Sequence, residues 1–203
     1  MASGDITKDL ETKVRTLLDE DTAGFYTAAA IYKSLADAQR EIATVFLSIF
    51  KAKQKLNKDE ECPNVLRPLI STTTPATGTQ NLPADFWDVL YIKDSTASNV
   101  PVRIRNVSSA YPHNIANTYL SSSASQPFCY ISPTQVVFET SISWIMAYFK
   151  TLTDTSASVD PVLAQSAYNA MVQYAFADLL RRDSDQRAGE EFNKFLKILQ
   201  DIT

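Results

Sequence analysis

Residues 31–49 read IYKSLADAQREIATVFLSI and contain the clearest periodic pattern of the chain. Apolar side chains recur there every three or four residues, which is the spacing of one face of an α-helix. These side chains are Ile31, Leu35, Ala38, Ile42, Val45 and Ile49. Four lysines follow, where positive charge complements the negative end of a helix dipole; they are Lys51, Lys53, Lys55 and Lys58. The pattern predicts an amphipathic helix over residues 27–56 that packs on one side.

Helical patterns also occupy the two ends of the chain. Residues 7–19 carry one apolar stripe, and Asp5 or Thr7 is suited to cap its start. A third helix is predicted from Asp160, with Pro161 at the first helical position, where a missing N–H costs nothing. A fourth, over residues 184–201, has a stripe that another surface must cover: Ala188, Phe192, Phe195, Leu196, Leu199 and Ile202.

The middle of the chain has a different composition, rich in Pro, Ser, Thr and Asn between β-branched and aromatic runs. Such runs predict strands at residues 69–73, 87–92, 100–107, 128–132, 135–140 and 143–150, with a hairpin turn at 132–134. The stretches 72–80 and 121–126 are the best candidates for mobile or partner-ordered loops. We therefore predict an α+β fold: a terminal bundle of about four helices, from residues 1–60 and 157–203, with an inserted antiparallel β subdomain at 61–156.

Charge and length exclude several classes of protein. The net charge is −4 and the isoelectric point is near 5.0, which argues against a protein whose affinity comes from neutralising phosphates. The longest apolar stretches, 42–50 and 142–149, fall short of the roughly 20 residues that cross a bilayer. The first residues lack a secretory signal, so synthesis in the cytoplasm is expected. Cys62 and Cys129 are too few for a disulfide framework and are predicted to be plain thiols.

Residues with catalytic or ligand-binding chemistry are scarce. His113 is the single histidine, so a histidine-dependent catalytic triad would depend on this one residue. The four glycines are far apart in sequence and do not form the motif of a phosphate-binding loop. Acidic runs at 19–21 and 59–61 would bind a divalent cation in one interpretation, but they are typical of solvated chain reversals. We predict no catalytic, cofactor-binding or metal-binding residue. The lysines at 51–58 are a solvated helix end or, alternatively, a DNA contact.

Aromatic residues are enriched in the predicted strands. At strand spacing they are usually core rather than a binding surface. We therefore predict that Phe86, Trp87, Tyr91, Trp144 and Tyr148 lie in the core.

Three segments in order resemble the head-to-tail connector adaptors of tailed bacteriophages. The first is the helix containing LADAQREI at residues 35–42, after Tyr26-Thr27. The second is LPADFW at 82–87, similar to an LP-x-DF element of such adaptors. The third is AFADLL at 175–180, which follows AYFK at 147–150 and Asp160-Pro161. The long Ser/Thr-rich insertion departs from the family pattern, and it would suit a podovirus or crAss-like neck.

The resemblance implies a virion structural protein of the neck, without enzymatic activity and made in the host cytoplasm. It implies a homo-oligomeric ring of 12 copies that contacts the portal protein and other neck or tail proteins while genomic DNA passes through its lumen, away from any membrane. We predict that the last helices make the contacts, through Phe192, Phe195, Leu196, Leu199, Arg181 and Arg182. The alternative functions are a cytosolic adaptor or regulator that uses the amphipathic C-terminal helix and, third, a metal-dependent enzyme using the acidic runs.

Overall fold

The computed structural model describes residues 4–20, 25–56, 60–96, 100–105, 123, 127–138 and 140–202. The chain divides into two compact units. A helical unit consists of Met1–Leu69 and Leu152–Thr203, and a β unit consists of Ile70–Thr151. The predicted α+β class, with helices at both ends and a β region inserted between them, is confirmed.

The helical unit contains α1 (Asp5–Leu17), α2 (Ala28–Leu56), α3 (Tyr168–Arg182) and α4 (Ala188–Ile202) within the described residues. Short 3₁₀ turns lie at Arg67–Leu69 and Gln165–Ala167. α3 is the central helix, because it packs against each of the other three. The apolar faces of the four helices are largely buried in this unit: Leu10, Val14, Ile31, Leu35, Ala38, Ile42, Met171, Ala175, Leu179, Phe195 and Leu199.

The third helix starts later than predicted, and Asp160 has a different role. α3 begins at Tyr168, whereas the Asp160 carboxylate accepts hydrogen bonds from the backbone N–H of Gly4 (3.1 Å) and of Thr7 (3.0 Å). Gly4 is the N-cap residue of α1, so Asp160 satisfies amides that the first turn leaves without helical partners. The prediction that Asp160 and Pro161 open α3 is therefore wrong. Asp160 caps α1 instead, at a separation of more than 150 positions in sequence.

Gln39 holds the chain where it returns to the helical unit, in residues 152–162, called here the return segment. Its amide Nε2 donates to the Thr153 carbonyl (2.9 Å), and its Oε1 accepts from the Val162 N–H (2.6 Å). Gln39 is completely buried. The hydroxyl of Thr155 also donates to the carbonyl of Tyr32 on α2 (3.0 Å). The return segment is thus held along α2 by hydrogen bonds at both of its ends.

The β unit contains two small sheets. Its strands are β1 (Ile70–Thr72), β2 (Ala76–Thr77), β3 (Gln80–Asn81), β4 (Phe86–Asp94), β5 (Arg103–Arg105), β6 (Phe128–Ile131), β7 (Gln135–Phe138) and β8 (Ser143–Lys150). In the first sheet β8 is central, with β4 antiparallel along one edge and β1 and β2 antiparallel along the other. The second sheet has the order β3-β7-β6-β5, and β6 and β7 form the predicted hairpin. β5 and β6 pair in parallel. Parallel strands need a long connection, and residues 106–127 between these two strands provide the necessary length.

Both sheets contribute to one core of the β unit. Trp144 and Tyr148 of β8 and Val136 and Phe138 of β7 are buried in it, and the rings of Phe138 and Trp144 stack at 5.2 Å between centroids. The predicted core position is confirmed for Trp144 and Tyr148 but is wrong for Tyr91, which is 45% exposed.

One of the two predicted loops contains strand residues, and the other is not tested by the structure. The stretch 72–80 contains β2 and the first residue of β3, because its backbone pairs with β8 and β7. The stretch 121–126 lies outside the described residues apart from Ser123.

Replacing Asp160 should destabilise the protein by loosening the start of α1. We expect Asp160→Ala to lower the free energy of unfolding by about 1 kcal/mol, the usual cost of losing a helix cap. The measurement is urea denaturation followed by circular dichroism. Asp9→Ala is the control, since it removes only the exposed pair of Asp9 with Lys13 (2.9 Å) and should cost less than about 0.5 kcal/mol. Equal losses in the two variants would contradict the capping role.

The two cysteines should differ sharply in reactivity. Burial raises the pKa of Cys129 to about 12, and this residue is 0% exposed in the β core. Burial also raises the pKa of Cys62, but that residue is partly exposed. We expect a maleimide at pH 8 to modify Cys62 alone in the native protein and both thiols in urea, because the reactive species is the thiolate. Mass spectrometry of the labelled peptides gives the result, and rapid native labelling of Cys129 would show that the β core is open.

Candidate interaction surface

α3 and α4 form a closely packed helical pair. The chain reverses between them at Ser184, which has a left-handed φ of 59°. Phe195 and Leu199 of α4 are buried, with 1% and 7% of their surface exposed. The edge of Tyr174 on α3 meets the ring of Phe195 at 5.1 Å between centroids. These contacts use the inner half of the predicted α4 stripe.

The outer half of the stripe remains exposed. Phe192 is 37% exposed and Leu196 is 43% exposed, although both are large apolar residues on a helix. Phe192 rests partly against Tyr174 and Phe195, with centroid distances of 6.2 Å and 5.4 Å. The structure therefore separates the four predicted apolar contact residues of α4 into two that pack internally and two that face outward.

A groove between α3 and α4 lies beside the outward residues. Its volume is about 260 Å³. A side chain at Gly189 would meet no atom within 4 Å of its Cβ, so the groove is open at that point. We call it the α3–α4 groove, and its lining residues are Tyr174, Ala177, Asp178, Arg181, Ala188, Gly189 and Phe192. The lining is apolar and aromatic, with one charged pair at its edge.

That charged pair is anchored by Asp178, which is 7% exposed. Its carboxylate accepts hydrogen bonds from Arg181 (2.8 Å), Arg182 (2.5 Å) and the hydroxyl of Ser34 on α2 (2.8 Å). Three charged or polar donors compensate the cost of burying this carboxylate. The predicted contact residues Arg181 and Arg182 are thereby brought together and positioned. Burial raises the pKa of Tyr174, and the charge of Asp178 adds to that effect.

Some residues of the acidic runs and of the lysine group make ion pairs or hydrogen bonds within the chain. Glu20 accepts from the N–H of Phe25 (2.9 Å) and pairs with Arg15 (3.4 Å), and Lys53 lies 3.7 Å from Glu60. Among the described residues, no cluster of His, Cys, Asp and Glu has the arrangement of a metal site. In the same part of the chain, each helix is too short or too polar to cross a membrane. His113, Asp21 and Asp59 lie outside the described residues.

Sequence reasoning missed Tyr174, Asp178 and Gly189 as parts of this surface. Asp178 carried a signal, because an acidic residue within the apolar run AFADLL needs partners when it is buried. Gly189 carried a weaker signal, namely a glycine inside a predicted helix. Tyr174 had none, since an aromatic residue on a helix is usually core.

Mutation of the inner half of the α4 stripe should destabilise the protein much more than mutation of the outer half. Phe195→Ala should lower the free energy of unfolding by roughly 3–5 kcal/mol, since it leaves a cavity in the helical core. Leu196→Asp should cost about 1 kcal/mol or less, because Leu196 is on the surface. Thermal and urea denaturation of both variants measure this. A loss for Leu196→Asp as large as that for Phe195→Ala would mean that the outer half is packed within the chain.

The comparison with known proteins agrees with the resemblance seen in the sequence. No curated protein matches the chain. Residues 7–203, which include all of α2 to α4 and the β unit, match the SU10 adaptor protein family. The chain therefore belongs to the SU10 adaptor protein family and is a bacteriophage structural protein of the adaptor type.

Proposed function

We propose that this protein assembles into a head-to-tail connector ring in the virion neck, between the portal and the tail. It would form the ring from 12 copies, contact the portal and other neck or tail proteins, and provide a channel through which the genome passes. Its activity is assembly, without catalysis or a cofactor. The observation that supports this proposal best is the family match over residues 7–203, since the match spans both units of the chain.

The exposed apolar residues of the helical unit support an assembly role. Exposed apolar residues occur on several elements of this unit. They are Leu17 on α1, Phe25 before α2, Ile49 on α2, and Phe192 and Leu196 on α4. A cyclic head-to-tail assembly needs two different patches on each subunit, and residues spread over several elements can supply both. On α4, Phe192 and Leu196 are one helical turn apart, and contiguous exposed apolar surface commonly marks protein contacts.

The charge of the chain fits a channel that does not retain DNA. The net charge is −4, so the protein supplies little of the counterion release that drives phosphate binding. At the end of α2, Lys53 lies near Glu60, which partly offsets one of the lysines there. A lumen with this balance would let the genome slide past, and direct contact of DNA with the lysines at 51–58 stays a separate prediction.

Charged substitutions on the outer face of α4 should block incorporation without unfolding the protein. We expect Leu196→Asp and Phe192→Asp to reduce the amount of protein in purified particles roughly tenfold or more, because a buried charge at a contact costs more than about 1.4 kcal/mol. Quantitative mass spectrometry of particles, with the variant supplied in trans, measures this. The purified chain alone should be monomeric or weakly associated in light scattering, and electron microscopy with a portal should show rings.

Asn193→Asp is the matched control, since it adds the same charge on α4 without removing an apolar side chain. Normal incorporation of both Leu196→Asp and Phe192→Asp would contradict the role of the outer face. Capture of one soluble partner, with no ring in micrographs, would favour the adaptor or regulator alternative.

A further inference from the structure

Phe25 is a large apolar side chain held outside the helical unit. It is 78% exposed. Its position is nonetheless fixed, because its N–H donates to Glu20 and its ring meets the edge of Tyr26 at 5.2 Å between centroids. Tyr26 is itself anchored: its hydroxyl donates to the Leu179 carbonyl (3.2 Å), and its carbonyl accepts from Arg15 (3.2 Å). An exposed aromatic residue on a fixed base has the character of an interface anchor.

The α3–α4 groove has the complementary shape. Tyr174 and Phe192 form aromatic walls, and Ala177, Ala188 and Gly189 leave the space between them open. Its volume of about 260 Å³ lies below the roughly 300–1,000 Å³ of small-molecule sites. A single aromatic side chain of a protein is an occupant of suitable size and chemistry. Phe25 does not fill the groove of its own chain, because it is exposed.

The charges beside the two features are of opposite sign. Asp19 precedes Glu20, which accepts the hydrogen bond from the Phe25 N–H, and it is exposed. The cation Arg15 is only 8% exposed and is shared by Glu11 and Glu20. At the groove the arrangement is reversed. The Arg181 side chain is 71% exposed and that of its partner Asp178 is 7% exposed.

Arg182 also binds Asp178, but it lies 3.8 Å from Asp37 as well, so its charge is shared between two carboxylates. Other carboxylates nearby are outside the groove lining, namely Asp37, Glu41, Asp183 and Glu190. Within the lining, the exposed charged side chain is that of Arg181. The exposed carboxylate of Asp19 and the exposed guanidinium of Arg181 are therefore complementary in charge.

We propose that Phe25 of one copy inserts into the α3–α4 groove of the next copy, with Asp19 facing Arg181. The two patches differ, so each copy offers both an anchor and a groove and the contact is head-to-tail. Repetition of that contact closes a ring when the rotation between copies permits. This inference rests on the proposed ring and names the surfaces that build it.

Photocrosslinking tests the contact in the full chain. Phe25 is replaced with the aromatic photoreactive residue p-benzoylphenylalanine, and the variant is irradiated both as concentrated protein and in particles. The expected result is a ladder of crosslinked oligomers whose linked peptides fall within residues 174–192 of another copy. Mixing isotopically labelled and unlabelled chains distinguishes links between copies from links within one. The matched control carries the same residue at Tyr91, which is also exposed but lies in the β unit, and it should give no link to residues 174–192.

A second variant closes the groove. Gly189→Leu places a side chain where nothing lies within 4 Å, so the fold should be retained, which circular dichroism checks. Its expected effect is loss of the crosslinked ladder. If micrographs show rings but position 25 crosslinks to other residues, or to none, the proposed Phe25 contact is overturned and the ring proposal stands. Absence of both rings and crosslinks in particles that contain the protein would overturn the ring proposal together with this one.

Discussion

The helical unit depends on the two hydrogen bonds made by the buried amide of Gln39. They fix both ends of the return segment, at Thr153 and at Val162, against α2. The Gln39 side chain is completely buried, and a buried amide without partners costs about 1–3 kcal/mol, so these two bonds favour the observed position of the segment. Asp160 lies within the same segment and caps α1, and α3 follows it in sequence. One polar side chain on α2 thereby sets the positions from which α1 and α3 are built.

This arrangement gives a physical meaning to the LADAQREI block that carried the family resemblance. Leu35, Ala38 and Ile42 are completely buried and supply the apolar face of α2. Gln39, on a neighbouring line of the helix, binds the return segment, and Arg40 joins it by pairing with Asp154. The block therefore has two functions: its apolar face packs in the core, and its polar residues Gln39 and Arg40 bind the return segment. A periodic pattern identifies the first of these functions, but the second is visible only in three dimensions.

The contrast explains which parts of the fold the sequence could predict. The helices and most strands follow from local periodicity, and the hairpin at residues 132–134 follows from its turn residues. Asp160 was misplaced because a capping carboxylate has the same local signature whether it caps its own helix or a distant one. The short strands β2 and β3 were missed because two-residue strands are defined by their partners β8 and β7 and not by a pattern of their own. Tyr91 was misassigned because alternation along β4 is interrupted by bulges, which change the face that a side chain presents.

At the candidate surface, too, the local sequence pattern did not reveal which residues are covered by another helix. A stripe of apolar residues on α4 was read as one contact face, yet α3 covers only the half containing Phe195 and Leu199. Filling the α3–α4 groove from within, by a larger residue at position 189, would bury more apolar area in a single chain and would be expected to stabilise it. A glycine there keeps the groove open at the expense of that stability and of helix propensity. In a monomeric protein an open apolar groove contributes nothing to stability. In a subunit of an assembly, a side chain of the neighbouring subunit can fill the groove and bury the same apolar area.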